Sequence, residues 1–92
     1  MERTVVDVAR RSGFTYVVNG RFKGGWTTRY YGRPLMGLQA IQMELAQSLY
    51  LASEAPPFDY DAARADRLRG TLGEMLNALA ALAPMLAEKA RA

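Results

Sequence analysis

A chain of 92 residues with neither histidine nor cysteine lacks disulfides and thiolate nucleophiles, and it leaves only carboxylates, carbonyls and hydroxyls as metal ligands, which argues against a self-contained zinc or copper centre. Half of the residues are apolar and 23% are charged, the composition of a globular protein with a single small core. The net charge of +3, from 12 Lys plus Arg against 9 Asp plus Glu, is too mild a basic excess to indicate nucleic acid as a partner.

Residues 3–12 place Val5, Val8 and Ala9 at helical spacing, with Arg10 and Arg11 in the last turn and Gly13 as a stop signal, and so predict a short helix despite the β-branched Thr4, Val5, Val6 and Val8. The run Phe14-Thr15-Tyr16-Val17-Val18, closed by Asn19-Gly20, reads as a buried strand ending in a turn. Between Asn19 and Gly37 the glycines 20, 24, 25, 32 and 37 are interleaved with Arg21, Lys23, Arg29 and Arg33. That density of breakers leaves room for no more than a short extended piece over Trp26 to Tyr31. Residues 38–45 fit two periods: Ile41, Met43 and Leu45 alternate as in a strand, while Leu38, Ile41, Leu45 and Leu49 make a helical stripe. Pro56-Pro57 marks a loop, and Asp59 or Asp61 is placed to cap the helix that follows. In that helix Leu68, Leu72, Met75, Leu76, Leu79 and Leu82 recur at steps of three and four, and Pro84 is expected to bend or end it.

Residues 1–7 lack the apolar core of a signal peptide, and the apolar C-terminal stretch is interrupted by Gly70, Gly73, Glu74 and Asn77, so neither export nor a membrane partner is expected and the location expected is the cytoplasm. Two strands make a poor sheet by themselves; if helices flank both, the sheet needs further partners at its edges.

Two constellations carry chemistry. In the loop from Asn19 to Arg33, glycines let backbone amides approach a ligand and guanidinium forks hold carboxylates or phosphates. An anion pocket is one outcome, and a solvated basic loop with glycines set for turns is the other. Neither the phosphate-loop pattern nor GxGxxG occurs, so nucleotide binding gains no support. The second constellation is Glu44, an acid within an apolar and amide-bearing run. In a strand, Ala40, Gln42 and Glu44 share one face and a partly buried carboxylate suits general acid/base work; in a helix Glu44 simply faces solvent. The acids Glu54, Asp59, Asp61 and Asp66 surround a helix start, where negative charge is favoured.

The runs NGRFKGGWTTRYYGRP from Asn19 and QAIQMELAQ from Gln39, followed by Tyr50 and by Pro56-Pro57-Phe58, closely resemble the C-terminal part of the N-formylglutamate amidohydrolases. The resemblance covers most of the chain. It implies an α/β class, as a fragment of a zinc-carboxypeptidase-like fold with about two or three strands and a long C-terminal helix, in which residues 1–92 are a single domain or the C-terminal segment of a larger hydrolase domain. It makes 38–45 a core strand with Glu44 near its end. It also implies a zinc-dependent hydrolase chemistry, in which N-formylglutamate is split into formate and glutamate during histidine breakdown. Glu44 resembles the family's catalytic glutamate. Arg21, Lys23, Arg29 and Asn19 become candidates for binding the carboxylates of a small acidic substrate. The family's zinc ligands lie in a preceding N-terminal portion, so no zinc ligand is expected in this chain and the segment is expected to be inactive without that portion. Members more often read Arg-His-Tyr-Gly where this chain has Arg29-Tyr30-Tyr31-Gly32. The rival from another class is a small non-catalytic homo-oligomer that pairs sheet edges and leucine faces.

Overall fold

The computed structural model describes residues 1–20 and 24–91. Three helices organise them: α1 (Glu2–Ser12), α2 (Trp26–Tyr31) and α3 (Ala62–Arg91). In α1 the residues Val5, Val8 and Ala9 are buried, at the spacing that puts them on one face. The helix stops where expected, because Gly13 takes the left-handed conformation with φ 83°, which an L side chain resists. The Ser12 hydroxyl donates to the Ala9 carbonyl at 2.6 Å and accepts the Phe14 N–H at 3.1 Å, satisfying groups that the helix end leaves open.

The buried face of α1 lies against α3. Val5, Val8, Ala9 and Met75 form the core cluster, with Leu72, Ala78 and Leu79 packed around it. At the rim Arg11 meets Glu74 at 2.6 Å. Asp61 caps α3, its Oδ1 accepting the Arg64 N–H at 3.0 Å; of the two acids weighed for this role it is the one that precedes the first turn. Leu76, counted in the leucine stripe, is 67% exposed, since it falls beside the face that Leu72, Met75 and Leu79 turn to α1. Pro84 does not end the helix, which continues to Arg91; the ring only deprives the Ala80 carbonyl of its donor.

A loop leads into α3. Ala52 N–H donates to the Asp59 carbonyl and Asp61 N–H to the Tyr50 carbonyl, both at 2.8 Å. Arg64 Nη1 donates to the Leu51 carbonyl at 2.7 Å, fastening this loop to the helix. A second tight loop runs from Arg33 to Leu38, which exchange backbone hydrogen bonds of 2.7 and 3.1 Å around a single 3-10 turn. The molecule measures 51 × 26 × 17 Å with a radius of gyration of 15.5 Å, against about 12 Å for a compact chain of this length.

Three expectations of local structure are corrected. Trp26–Tyr31, read as extended, is helical. Residues 14–18 and 38–45, read as strands, contain neither helix nor ladder; the β pairing among the described residues is confined to two isolated bridges, Arg33 with Leu38 and Leu51 with Tyr60. The cause is the same for both segments: a strand exists only through hydrogen bonds to a neighbour, and this stretch of chain offers neither segment one. Their apolar side chains are accordingly left outside, Val17 at 79% and Met43 at 43% exposure.

Candidate functional site

The two sequence constellations meet through one side chain. Gln42 Oε1 accepts the backbone N–H of Gly25 at 2.9 Å and the Thr28 hydroxyl at 3.1 Å. Its Nε2 donates to Glu44 Oε1 at 2.6 Å. Chemistry fixes the orientation of the amide, since a backbone N–H only donates and a carboxylate only accepts. Gly25 is the residue before the first turn of α2, so Gln42 does from a distance what a local capping side chain does at other helix starts. This explains the helix that sequence reasoning missed. Thr27, Thr28 and the aromatics favour extended backbone by themselves, but the bond to Gln42 and the stacking of Trp26 on Tyr30, with ring centroids 4.5 Å apart at 16°, hold the turn.

Glycine is used closely here. A Cβ on Gly24 would stand 3.2 Å from the Thr28 side chain, and one on Gly32 would stand 2.7 Å from the Thr28 carbonyl oxygen and 3.1 Å from the Ala40 Cβ. The absent methylene at Gly32 is what lets the segment carrying Ala40, Gln42 and Glu44 lie against the end of α2.

Glu44 meets Gln42 side chain to side chain although the segment is not a strand, and it is exposed, so the partial burial expected of it in a strand is absent. Its carboxylate is held by the charge-assisted bond from Gln42. Arg29 does not reach it: Arg29 Nη1 donates to the Gly24 carbonyl at 3.0 Å, bracing the glycine loop. Asn19 occupies a left-handed turn with φ 50°, a conformation that asparagine tolerates better than most residues. Arg21 and Lys23 lie outside the described residues. Gln42 itself was not singled out as a site residue. The signal available for it was an amide two positions before the acid, on the same side of an extended segment.

Next to this network, Tyr31 packs edge-on against Tyr30 at 5.0 Å and the Arg33 guanidinium lies 5.3 Å over the Tyr30 ring. The aromatic group is exposed, with Trp26 at 61%. Among the described residues no group of three or more His, Cys, Asp and Glu gathers.

Residues 1–51 match the protein family described as N-formylglutamate amidohydrolase. The N-formylglutamate deformylases of Pseudomonas aeruginosa and Pseudomonas putida are each 45% identical to the chain over 73 residues, a stretch that is 79% of this chain and 27% of either relative. The chain thus spans little more than a quarter of the length of the curated relatives it matches. No solved structure matches it. A match over more than half of the residues, taking in both the glycine loop and the Gln42–Glu44 pair, places the chain in the N-formylglutamate amidohydrolase family.

Proposed function

We propose that this chain is the C-terminal segment of an N-formylglutamate amidohydrolase-like zinc hydrolase, that it supplies the general-base carboxylate and part of the substrate pocket, and that it does not hydrolyse N-formylglutamate alone. The observation that carries the proposal is the bridge from Gly25 through Gln42 to Glu44. It sets the acid of the second motif beside the loop of the first, where a substrate held by the loop would present its amide bond to the carboxylate.

In this reading Glu44 takes a proton from the attacking water and returns it to the leaving amine nitrogen, the usual double duty of a general base. Arg21, Lys23, Arg29 and Asn19 contribute to holding the carboxylates of the small acidic substrate, Arg29 once its bond to the Gly24 carbonyl is exchanged for one to the ligand. Zinc ligands come from residues outside this chain. The fold proposed for the completed protein is the α/β, zinc-carboxypeptidase-like one, in which 14–18 and 38–45 gain strand neighbours; their exposed Val17, Ile41 and Met43 support it, because a sheet with neighbours would bury them. The setting proposed is cytoplasmic histidine breakdown.

A second reading, a non-catalytic homo-oligomer, is favoured by the same surplus of uncovered apolar surface, above all Leu35 at 92% and Trp26 at 61% exposure. Formate release separates the two. The chain is assayed on N-formylglutamate with zinc, alone and then mixed with the part of the Pseudomonas aeruginosa deformylase that lies outside the matched 73 residues. Activity in the mixture only, abolished by Glu44→Gln, is the expected result. Silence in both, together with a stable dimer by light scattering, overturns the hydrolase reading in favour of the assembly.

A further inference from the structure

The arginines of α1 and of the first turns of α3 fall into two kinds. Arg10, Arg11, Arg64 and Arg69 each stand within 4 Å of an acid, Asp7, Glu74, Asp61 and Asp66 respectively. Arg67 has no acidic partner and no hydrogen-bond acceptor among the described residues. Its guanidinium carbon lies 4.6 Å over the Phe14 ring. Phe14 follows the left-handed Gly13, φ 83°, so the turn after α1 is what presents the ring to Arg67.

This guanidinium opens into a groove of about 280 Å³ between the turn at Gly13 to Thr15, the turn at Ser48-Leu49 and the first turns of α3. Arg64, one helical turn earlier, lines the same groove. It is already committed, donating to the Leu51 carbonyl at 2.7 Å and pairing with Asp61 at 3.4 Å, and so it adds a nearby, partly offset positive charge but few free donors. The walls combine Phe14 and Leu49 with the hydroxyl-bearing Thr15 and Ser48. A ring-stacked guanidinium with its donors unspent, an apolar wall and two hydroxyls are the requirements for taking an oxyanion that carries a small apolar body.

We infer that the groove at Arg67 is a binding site for a small oxyanion, a carboxylate or a phosphate, separate from the Gln42–Glu44 network. Arg67 receives the two anionic oxygens in its fork, Thr15 and Ser48 donate to them, and the apolar part rests on Phe14 and Leu49. The site draws on residues of α3 beyond position 51, where the family match ends, and its existence does not depend on Glu44 having a catalytic role.

Amide chemical shifts of the labelled chain, followed during titration with sodium benzoate and separately with inorganic phosphate at constant ionic strength, test this. Saturable shifts centred on Gly13, Thr15 and Leu49 are expected for at least one of the two, weakened tenfold or more by Arg67→Gln and left unchanged by Arg3→Gln at an exposed position of α1. Benzoate alone binding assigns an apolar carboxylate; phosphate alone binding assigns a phosphoryl group. Absence of saturation with both anions, or equal weakening by the two substitutions, overturns the site. Arg67→Lys guards against a folding artefact, because it keeps the charge and should bind more weakly than the parent chain while retaining its helical circular dichroism; undiminished binding by this variant removes the bidentate role of Arg67.

Discussion

Gln42 and Glu44 lie two residues apart and touch, amide nitrogen to carboxylate oxygen, at 2.6 Å, while the other end of the same amide holds the start of α2. The helix and the acid are therefore one conformational unit. In Gln42→Leu the cap on α2 is lost, a loss of about 1 kcal/mol by analogy with capping side chains. The Cα chemical shifts of residues 26–31 should fall toward coil values. Glu44→Gln leaves the cap in place and should preserve them. Helical shifts that survive in Gln42→Leu would show that α2 stands without this bond.

Val8 is the most deeply enclosed large side chain, 2% exposed. Its truncation in Val8→Ala removes about two methyl groups' worth of burial and leaves a small cavity, about 2 kcal/mol in all. For a chain of this size that corresponds to a fall in melting temperature of roughly 10 °C. Leu76→Ala, on the same helix as Met75 but at a 67% exposed position, should change the midpoint by no more than a surface substitution does. Equal effects at the two positions in a thermal melt would contradict the packing of α1 on α3.

Gly13→Ala tests the end of α1. The new Cβ would sit at ordinary contact distance from Arg67, so space is available and only the left-handed backbone opposes the change. A loss of about 1–2 kcal/mol is expected in urea unfolding, from backbone strain alone. Gly32→Ala is different in kind, because there the methyl would meet the Thr28 carbonyl at 2.7 Å and must push the segment around Ala40 away from α2.

The ion pair between Arg11 and Glu74 is short, 2.6 Å, yet both side chains are more than half exposed. Water and salt screen such a pair, so a double-mutant cycle should give a coupling of about 0.2–1 kcal/mol that shrinks toward zero in molar salt. A larger, salt-resistant value would mean that the rim of the α1–α3 contact is drier than the structure has it.

Where backbone preference and burial act within a few residues, the sequence is legible. Val5, Val8 and Ala9 announce the buried face of α1, Gly13 its end and Asp61 the cap of α3. Where an element depends on something distant, it is not. Trp26–Tyr31 reads as extended because the oxygen that caps it belongs to Gln42, fourteen or more positions away. Residues 38–45 fit a strand and a helix equally by periodicity and become a strand only through the family resemblance; alternation records which side chains want a common side, and ladder bonds need a partner that this stretch of chain lacks. The candidate site follows the same division: Glu44 stands out as an acid in apolar surroundings, whereas the amide that positions it carries no charge and breaks no pattern.

The elongated outline, with its radius of gyration of 15.5 Å, bears on how the chain comes apart. Denaturants act in proportion to the surface newly exposed on unfolding, and a chain that already presents Val17, Trp26, Leu35 and Met85 to water has little left to expose. Its urea transition should be shallow, with a slope at or below the lower end of the range of about 1–3 kcal/mol/M found for small domains. A partner that covers those side chains would steepen it, so the slope of the denaturation curve measures how much of the surface has found its cover.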